Sequence, residues 1–302
     1  MEKRRQGYAV VEWPTFTLIL LCYAVWAVGT TWLADLWMPL GFVATMLAIT
    51  LHSSLQHEVL HGHPFANRHL SEVLVFPALG LCIPYLRFRD THLAHHQDSI
   101  LTDPYDDPES NFQDPEVWAK LSKWKQVILN INNTLAGRLV LGPLISIVTF
   151  SGSDMAAIRA GNRAALVGWL LHIPGVALVV GWLVAYGQMP GWIYVLAAYC
   201  GLAILKIRTF LEHQAHERAR ARTVIIEDRG PLAFLFLNNN LHVVHHMHPA
   251  VPWYRLWDYY RKNKDKYLAR NDGYVYSSYA EIFRRYFFKR KDPVPHPLWR
   301  KG

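Results

Sequence analysis

Residues 164–205 read AALVGWLLHIPGVALVVGWLVAYGQMPGWIYVLAAYCGLAIL, 42 positions without one Asp, Glu, Lys or Arg. Crossing a bilayer as helix takes about 20 apolar residues, so this stretch is long enough to cross twice. Gly187-Gln188-Met189-Pro190-Gly191 near its middle is a turn signal and divides it into two spans. Two further uncharged runs, Thr15–Ala34 and Leu36–Gln56, are separated only by Asp35 and make a second hairpin. The expected fold class is therefore an all-α integral membrane protein with four transmembrane helices in two hairpins. The expected spans are about 14–34, 36–56, 164–186 and 191–211, within a single membrane-embedded domain over residues 1–302.

Two other apolar runs are too short to cross. Residues 73–86 hold Pro77 and Pro84 and read as a buried or interfacial segment. Leu139–Ser153 reads as interfacial or half-inserted. From about Pro115 to Asn133, Val117, Leu121, Trp124, Ile128 and Ile131 alternate with Lys120, Lys123 and Lys125, the pattern of an amphipathic helix on a membrane surface. The loop from Asp98 to Glu116 is acidic and proline-interrupted, which argues against helix.

Basic residues set the expected orientation. Lys3, Arg4 and Arg5 precede the first span, and Lys206, Arg208, Arg218, Arg220 and Arg222 follow the fourth, while the hairpin tips carry only Asp35. The positive-inside rule then puts both termini, and a helical cap formed by 57–163 and 206–302, on the cytosolic side. The first apolar run is too long for a cleaved leader and no small-x-small site follows it, so it is expected as a retained span. The formal charge of +8 is explained by these flanks beside anionic lipid, and no basic stretch interleaves with aromatics as nucleic-acid binding would require. Cys22, Cys82 and Cys200 are scattered in apolar surroundings and form neither a disulfide framework nor a thiolate metal site.

Histidines carry the chemistry. The pattern His-x-x-His-His occurs as His92, His95, His96 and again as His242, His245, His246, and His57 and His61 stand four apart. At i, i+3 and i+4 the imidazoles share a helix face and can converge on an ion. Every cluster lies at or just beyond the same end of a span. Eight imidazoles exceed the needs of one zinc, and His213 makes a ninth; two metals with four or five imidazoles each is the economical count. Imidazole suits Zn, Cu, Fe and Ni alike. Carboxylates are too few and scattered for a carboxylate-bridged bundle. Glu58 and Glu212 instead fit as acceptors from ligand imidazoles, and Asp98, Asp103, Asp106 and Asp107 serve likewise or simply solvate the loop. His52, His63, His69, His172 and His296 are left unassigned, and His216 and His248 flank clusters without a clear part.

On these residues the chain resembles the membrane fatty-acid desaturase and hydroxylase superfamily. His57-Glu58-Val59-Leu60-His61, His92-Leu93-Ala94-His95-His96 and His242-Val243-Val244-His245-His246 are similar to its three histidine boxes, and His213 sits where that family supplies a ligand outside them. The Glu212-His213 pair is similar to that of bacterial alkane and carotenoid oxygenases; animal acyl-CoA desaturases carry Asn where this chain has Thr209. The resemblance implies two iron ions held by the nine histidines, O2 as co-substrate, and no catalytic residue beyond the metal ligands. It implies oxidation of unactivated C–H bonds in a lipid chain, chiefly fatty-acyl desaturation, with fatty-acid, alkane or carotenoid hydroxylation or ketolation as the alternative on the same centre. No ferredoxin-like, flavin or haem motif is present, so electrons must come from a separate donor of ferredoxin, rubredoxin or cytochrome b5 type. Arg284, Arg285, Lys289 and Arg290 offer that donor a basic surface. A membrane metal-handling or haem-binding protein is the remote alternative; it would place histidines in mid-span, where only His172 lies.

Overall fold

A computed structural model describes residues 11–97 and 99–299. The basic N-terminal residues 3–5 and Asp98 lie outside the described residues. Helices α1 (Trp13–Thr30), α2 (Trp32–Leu36) and α3 (Met38–Leu60) form the first hairpin, and α9 (Arg163–Ala185) and α10 (Gly191–Thr209) the second. These apolar runs satisfy their N–H and C=O groups within each helix, and hydroxyls such as those of Thr30 and Thr50 fold back onto the preceding turn, to Trp26 O and Met46 O. The helices pack through small residues. A Cβ on Gly41 would stand 2.7 Å from the Ala34 backbone and from the Gly29 carbonyl, and one on Gly201 would stand 3.1 Å from the Met46 carbonyl, so α3 approaches α1, α2 and α10 closely.

The second span runs further than its charge-free stretch indicates: α3 continues through Glu58 to Leu60, so His57 rides its last turn and His61 caps it. A fifth helix is also long and apolar enough to cross. α8 (Leu135–Arg159) spans 25 residues because its helix carries on past the 15-residue apolar core through Ser153-Asp154. Asp154 is accommodated by a buried pair: Arg87 donates to both of its carboxylate oxygens at 2.9 and 3.0 Å, and Trp169 Nε1 donates at 2.9 Å.

Between α4 (Arg68–Leu74) and α5 (Tyr85–His95) the chain is irregular yet deeply buried, with Val75 and Leu79 fully covered. Its carbonyls would be costly there without donors. The surrounding helices provide them. Tyr23 donates to Leu74 O at 2.8 Å, Gln56 to Val75 O at 3.2 Å, Tyr194 to Leu79 O at 2.9 Å and His172 Nε2 to Leu81 O at 2.7 Å. The mid-span histidine is thus a peg for a re-entrant segment.

The expected amphipathic helix over 115–133 is two helices, α6 (Pro115–Lys120) and α7 (Lys123–Asn132), because Leu121 and Ser122 are extended and Gln126 bonds the Trp118 and Leu121 carbonyls. On α7, Trp124, Val127 and Ile131 remain exposed. After α10 come β1 (Ile225–Ile226), α11 (Pro231–Leu235), α12 (His242–Met247), α13 (Leu256–Lys262), α14 (Lys264–Arg270), β2 (Val275–Tyr276) and α15 (Tyr279–Tyr286). The all-α expectation misses one parallel pair, β1 with β2, which ties the C-terminal region beneath the third histidine cluster.

Tyr194→Phe removes the donor to Leu79 O and the acceptor for Trp26 Nε1, a 3.0 Å bond. Leaving such buried groups unpaired costs about 1–3 kcal/mol, so the variant is expected to insert normally but melt at lower temperature in detergent; an unchanged midpoint would contradict the pegging of residues 75–84.

Candidate metal centre

All nine singled-out histidines meet in one place, in two groups. His57, His61, His92, His96 and His245 form one, and His95, His213, His242 and His246 the other; within each group the ligand-capable atoms lie within 4.8 Å of one another. Helix geometry explains the partition. At about 100° per residue, positions i and i+4 differ by only 40°, while i+3 turns 60° the other way. So His92 and His96 go to one group and His95 to the other. α12 does the same in mirror fashion: His242 and His246 enter the four-histidine group and His245 crosses to the five. The three imidazoles of each triplet share a face, yet the face straddles two sites.

Contacts inside the groups fit ions. Nε2–Nε2 separations are 2.9 Å for His92–His96, 3.1 Å for His96–His245, 2.8 Å for His95–His213 and 3.1 Å for His213–His242. Metal–nitrogen bonds of about 2.1 Å at right angles put neighbouring nitrogens about 3.0 Å apart, so these spacings match those that ligands of one cation would have. His57 Nε2 and His61 Nε2 are buried with no hydrogen-bond partner, which is the state of a nitrogen aimed at a metal. Burial, reinforced by neighbouring imidazoles, holds His61, His96, His213, His242 and His245 well below the ordinary imidazole range. Neutral imidazole is the form that binds metal.

The opposite ring nitrogens of His95, His92 and His242 find oxygen acceptors. His95 Nδ1 donates to Asp107 Oδ1 at 2.7 Å, His92 Nδ1 to Glu109 Oε1 at 2.9 Å and His242 Nδ1 to Asn239 Oδ1 at 3.2 Å. Burial pushes His95 down, but Glu109 and Asp107 outweigh it and lift its imidazole to about 9. The acidic loop is therefore folded under α5 as well as being an irregular connection. Asp107 was one of four loop carboxylates offered by the sequence; Glu109 and Asn239 were missed. Their signals are faint: Glu109 is one more acid in an acidic loop, and Asn239 lies in the run Asn238-Asn239-Asn240 just before the cluster.

Neither carboxylate named from sequence acts quite as expected. Glu212 lies 3.8 Å from His242 Nδ1, beyond a hydrogen bond, and instead accepts from Asn239 Nδ2 at 3.0 Å and pairs with Arg208 at 2.9 Å, so it orients the residue that orients His242. Glu58 accepts from the Trp253 backbone N–H at 2.9 Å and lies 3.8 Å from His63 Nε2, fastening the loop after α12 to the end of α3. Asp103 takes the Tyr105 and Asp106 N–H groups in a local turn, and Asp106 is exposed. The unassigned histidines have other partners: His52 meets Tyr23 OH, His63 meets Glu12, and His296 meets Thr102. His248 packs between Tyr259 and Tyr267, and His216 faces Asp272.

A mostly helical apolar scaffold that presents two histidine-lined groups at its helix ends is the architecture of a membrane oxidoreductase. Residues 35–278 match the model of the fatty acid desaturase family, and the chain belongs to that family. It is 24% identical over 271 residues to a beta-carotene ketolase of Paracoccus sp. (strain PC1), covering 83% of this chain and 92% of that protein. It is 25% identical over 227 residues to a beta-carotene ketolase of Paracoccus sp. (strain N81106 / MBIC 01143), covering 73% and 74%. The protein is an oxidoreductase of lipid chains.

Asp107→Ala should weaken metal binding by about 10–100-fold, the usual cost of losing the acceptor behind a ligand imidazole. Competition with a chelator measures it, and affinity equal to the parent protein would mean that Asp107 only shapes the loop.

Proposed function

We propose that the nine histidines hold two iron ions, one in each group, and that the protein performs O2-dependent oxidation of C–H bonds in a membrane lipid chain, with fatty-acyl desaturation as the primary reading. The observation that carries it is the gathering of nine imidazoles into two all-nitrogen groups with their Nε2 atoms at ligand spacing. Bound there and reduced by a separate donor, two irons would supply the O2 chemistry needed to take hydrogen from an unactivated C–H bond. Asp107, Glu109 and Asn239 hold their histidines in the tautomer that leaves Nε2 free for a metal. Ring ketolation or hydroxylation of a carotenoid is the second reading, favoured by near full-length likeness to beta-carotene ketolases.

The substrate's apolar character is supported by a groove of about 470 Å³ between α1, α3, α10 and α11, lined by such residues as Leu18, Val25, Leu47, Leu51, Ile204 and Phe234. That volume is in the range that holds a small lipid. A second cavity, about 60 Å³ between α3, α10 and the re-entrant segment, is too small for a chain.

The topology in this reading has four crossings, by α1–α2, α3, α9 and α10, with α8 lying along the membrane face. Both ends of α8 support this. Leu135 packs against the α10 end in a cluster with Phe210 and Leu211, and Asp154 meets Arg87 just ahead of the second histidine cluster. A helix anchored at both ends to the histidine side need not cross. Lys206, Arg208, Arg218, Arg220 and Arg222 lie at that side and none at the hairpin tips, which supports a cytosolic site and C-terminus. Arg284 and Arg285 on α15, with Lys289 and Arg290 after it, form the basic surface for an acidic electron donor.

His245→Ala is expected to abolish product while the protein remains in the membrane. Lipid analysis of an expressing host decides the reaction: new fatty-acid double bonds support desaturation, while new ring carbonyls or alcohols in a carotenoid-producing host support the second reading. Wild-type-like product from His245→Ala would sink both. Reversing the charges of Arg284, Arg285, Lys289 and Arg290 should slow reduction by the donor and make it less salt-dependent; unchanged reduction kinetics would remove that docking surface.

A further inference from the structure

After α15 the chain does not turn away. Residues 288–299 lie back across the centre, and their bonds converge on one of the two histidine groups. Lys291, with a side chain only 8% exposed, donates from Nζ to the backbone carbonyl of His213 and lies 3.2 Å from Asp292 Oδ2. Its backbone N–H donates to Asn133 O at 3.1 Å, and Asn133 Nδ2 returns a bond to Asp292 O. Further along, Gln113 N–H donates to Val294 O at 2.9 Å and His296 N–H to Gln113 O at 2.8 Å, a short ladder against the acidic loop. His296 stands 3.2 Å by Nε2 from Thr102 Oγ1, and the Thr102 N–H donates at 2.8 Å to Asp107 Oδ2, whose other oxygen takes His95 Nδ1.

Both routes end on members of the four-histidine group. Lys291 donates to the carbonyl of His213, which follows α10 outside any helix and whose backbone is otherwise held by a short antiparallel bridge to Thr223. His296 fixes His95 through Thr102 and Asp107. No strap residue bonds directly to His57, His61, His92, His96 or His245, four of which are set by α3 and α5 themselves; the strap reaches that group only at one remove, because Asp107 Oδ1 also takes the Glu109 N–H and Glu109 takes His92 Nδ1.

We propose that residues 288–299 are a positioning strap for the four-histidine site, with Lys291 and His296 as the positioning residues, so that the strap acts directly on this site and reaches the five-histidine site only at second hand, through Glu109. The inference rests on the reading that each group holds one metal.

The experiment counts iron per chain in detergent-purified protein reconstituted with excess ferrous iron and then washed with a weak chelator. The parent protein should retain about two irons, whereas Lys291→Met and Thr102→Val should each retain about one, the affected site being weakened about 10–100-fold. Lys291→Arg, which keeps a buried cationic donor, should restore the second. Mössbauer spectra add a readout independent of activity: the parent should show two ferrous sites in equal amount, and each variant should lose one of them. Helical circular dichroism and a single gel-filtration peak establish that each variant is folded. Folded variants that keep both irons, or lose both together, would overturn the strap. If Lys291→Met does not fold, Thr102→Val decides alone, since it leaves the strap's own residues intact. A parent protein holding fewer than two metals would instead overturn the two-iron reading, and the strap with it.

Discussion

Imidazole nitrogens from four separate segments must come within ligand distance of one another at the ends of apolar helices, and nearly every other feature of the molecule serves that requirement. Nε2 atoms 2.8–3.1 Å apart would repel as bare lone pairs, and their rings are mostly removed from water. Such an arrangement has to be held by its surroundings until a cation joins it. Helix α3 delivers His57 and His61 rigidly because it runs unbroken from the membrane interior. The other ligands sit on shorter pieces, and these need external fastening.

That fastening is polar and joins separate segments. Asn238, Asn239 and Asn240 show how it works just before α12. Asn238 bonds the Trp253 carbonyl and receives Trp257 Nε1, Asn239 links Glu212 to His242, and Asn240 bonds the Ile226 and Asp228 carbonyls. Leu237 and Asn238 take positive φ to make the turn, a conformation Asn tolerates better than most residues. The re-entrant segment applies the same logic inside the apolar layer, where Tyr, Gln and His side chains replace water as donors. In each case a polar residue in an apolar setting marks a backbone that cannot satisfy itself.

Much of this was legible from the chain alone, and some was not. The uncharged runs identified the long helices because bilayer thickness and helical rise set a length that charge patterning exposes directly. The histidine spacing identified eight of the nine residues of the two groups, since i, i+3 and i+4 repeats are rare by accident and read straight off the sequence; His213 stands outside those repeats and was indicated by the family resemblance. The extent of α8 was underestimated because Asp154 ends the apolar run, while its neutralising partner Arg87 lies 67 residues away. His172 looked unexplained for the same reason: its partner, the Leu81 carbonyl, is remote in sequence.

The sequence by itself determined which residues could bind metal and that they would gather at one end of an apolar scaffold, because both follow from local periodicity and composition. Only the tertiary structure decided how nine histidines divide into five and four, which acids stand behind them, and that the C-terminal segment reaches His213 and His95. Those outcomes depend on which side chains meet across segments, and a hydrogen bond between residues 78 positions apart, as between Lys291 and His213, leaves no periodic trace in the chain.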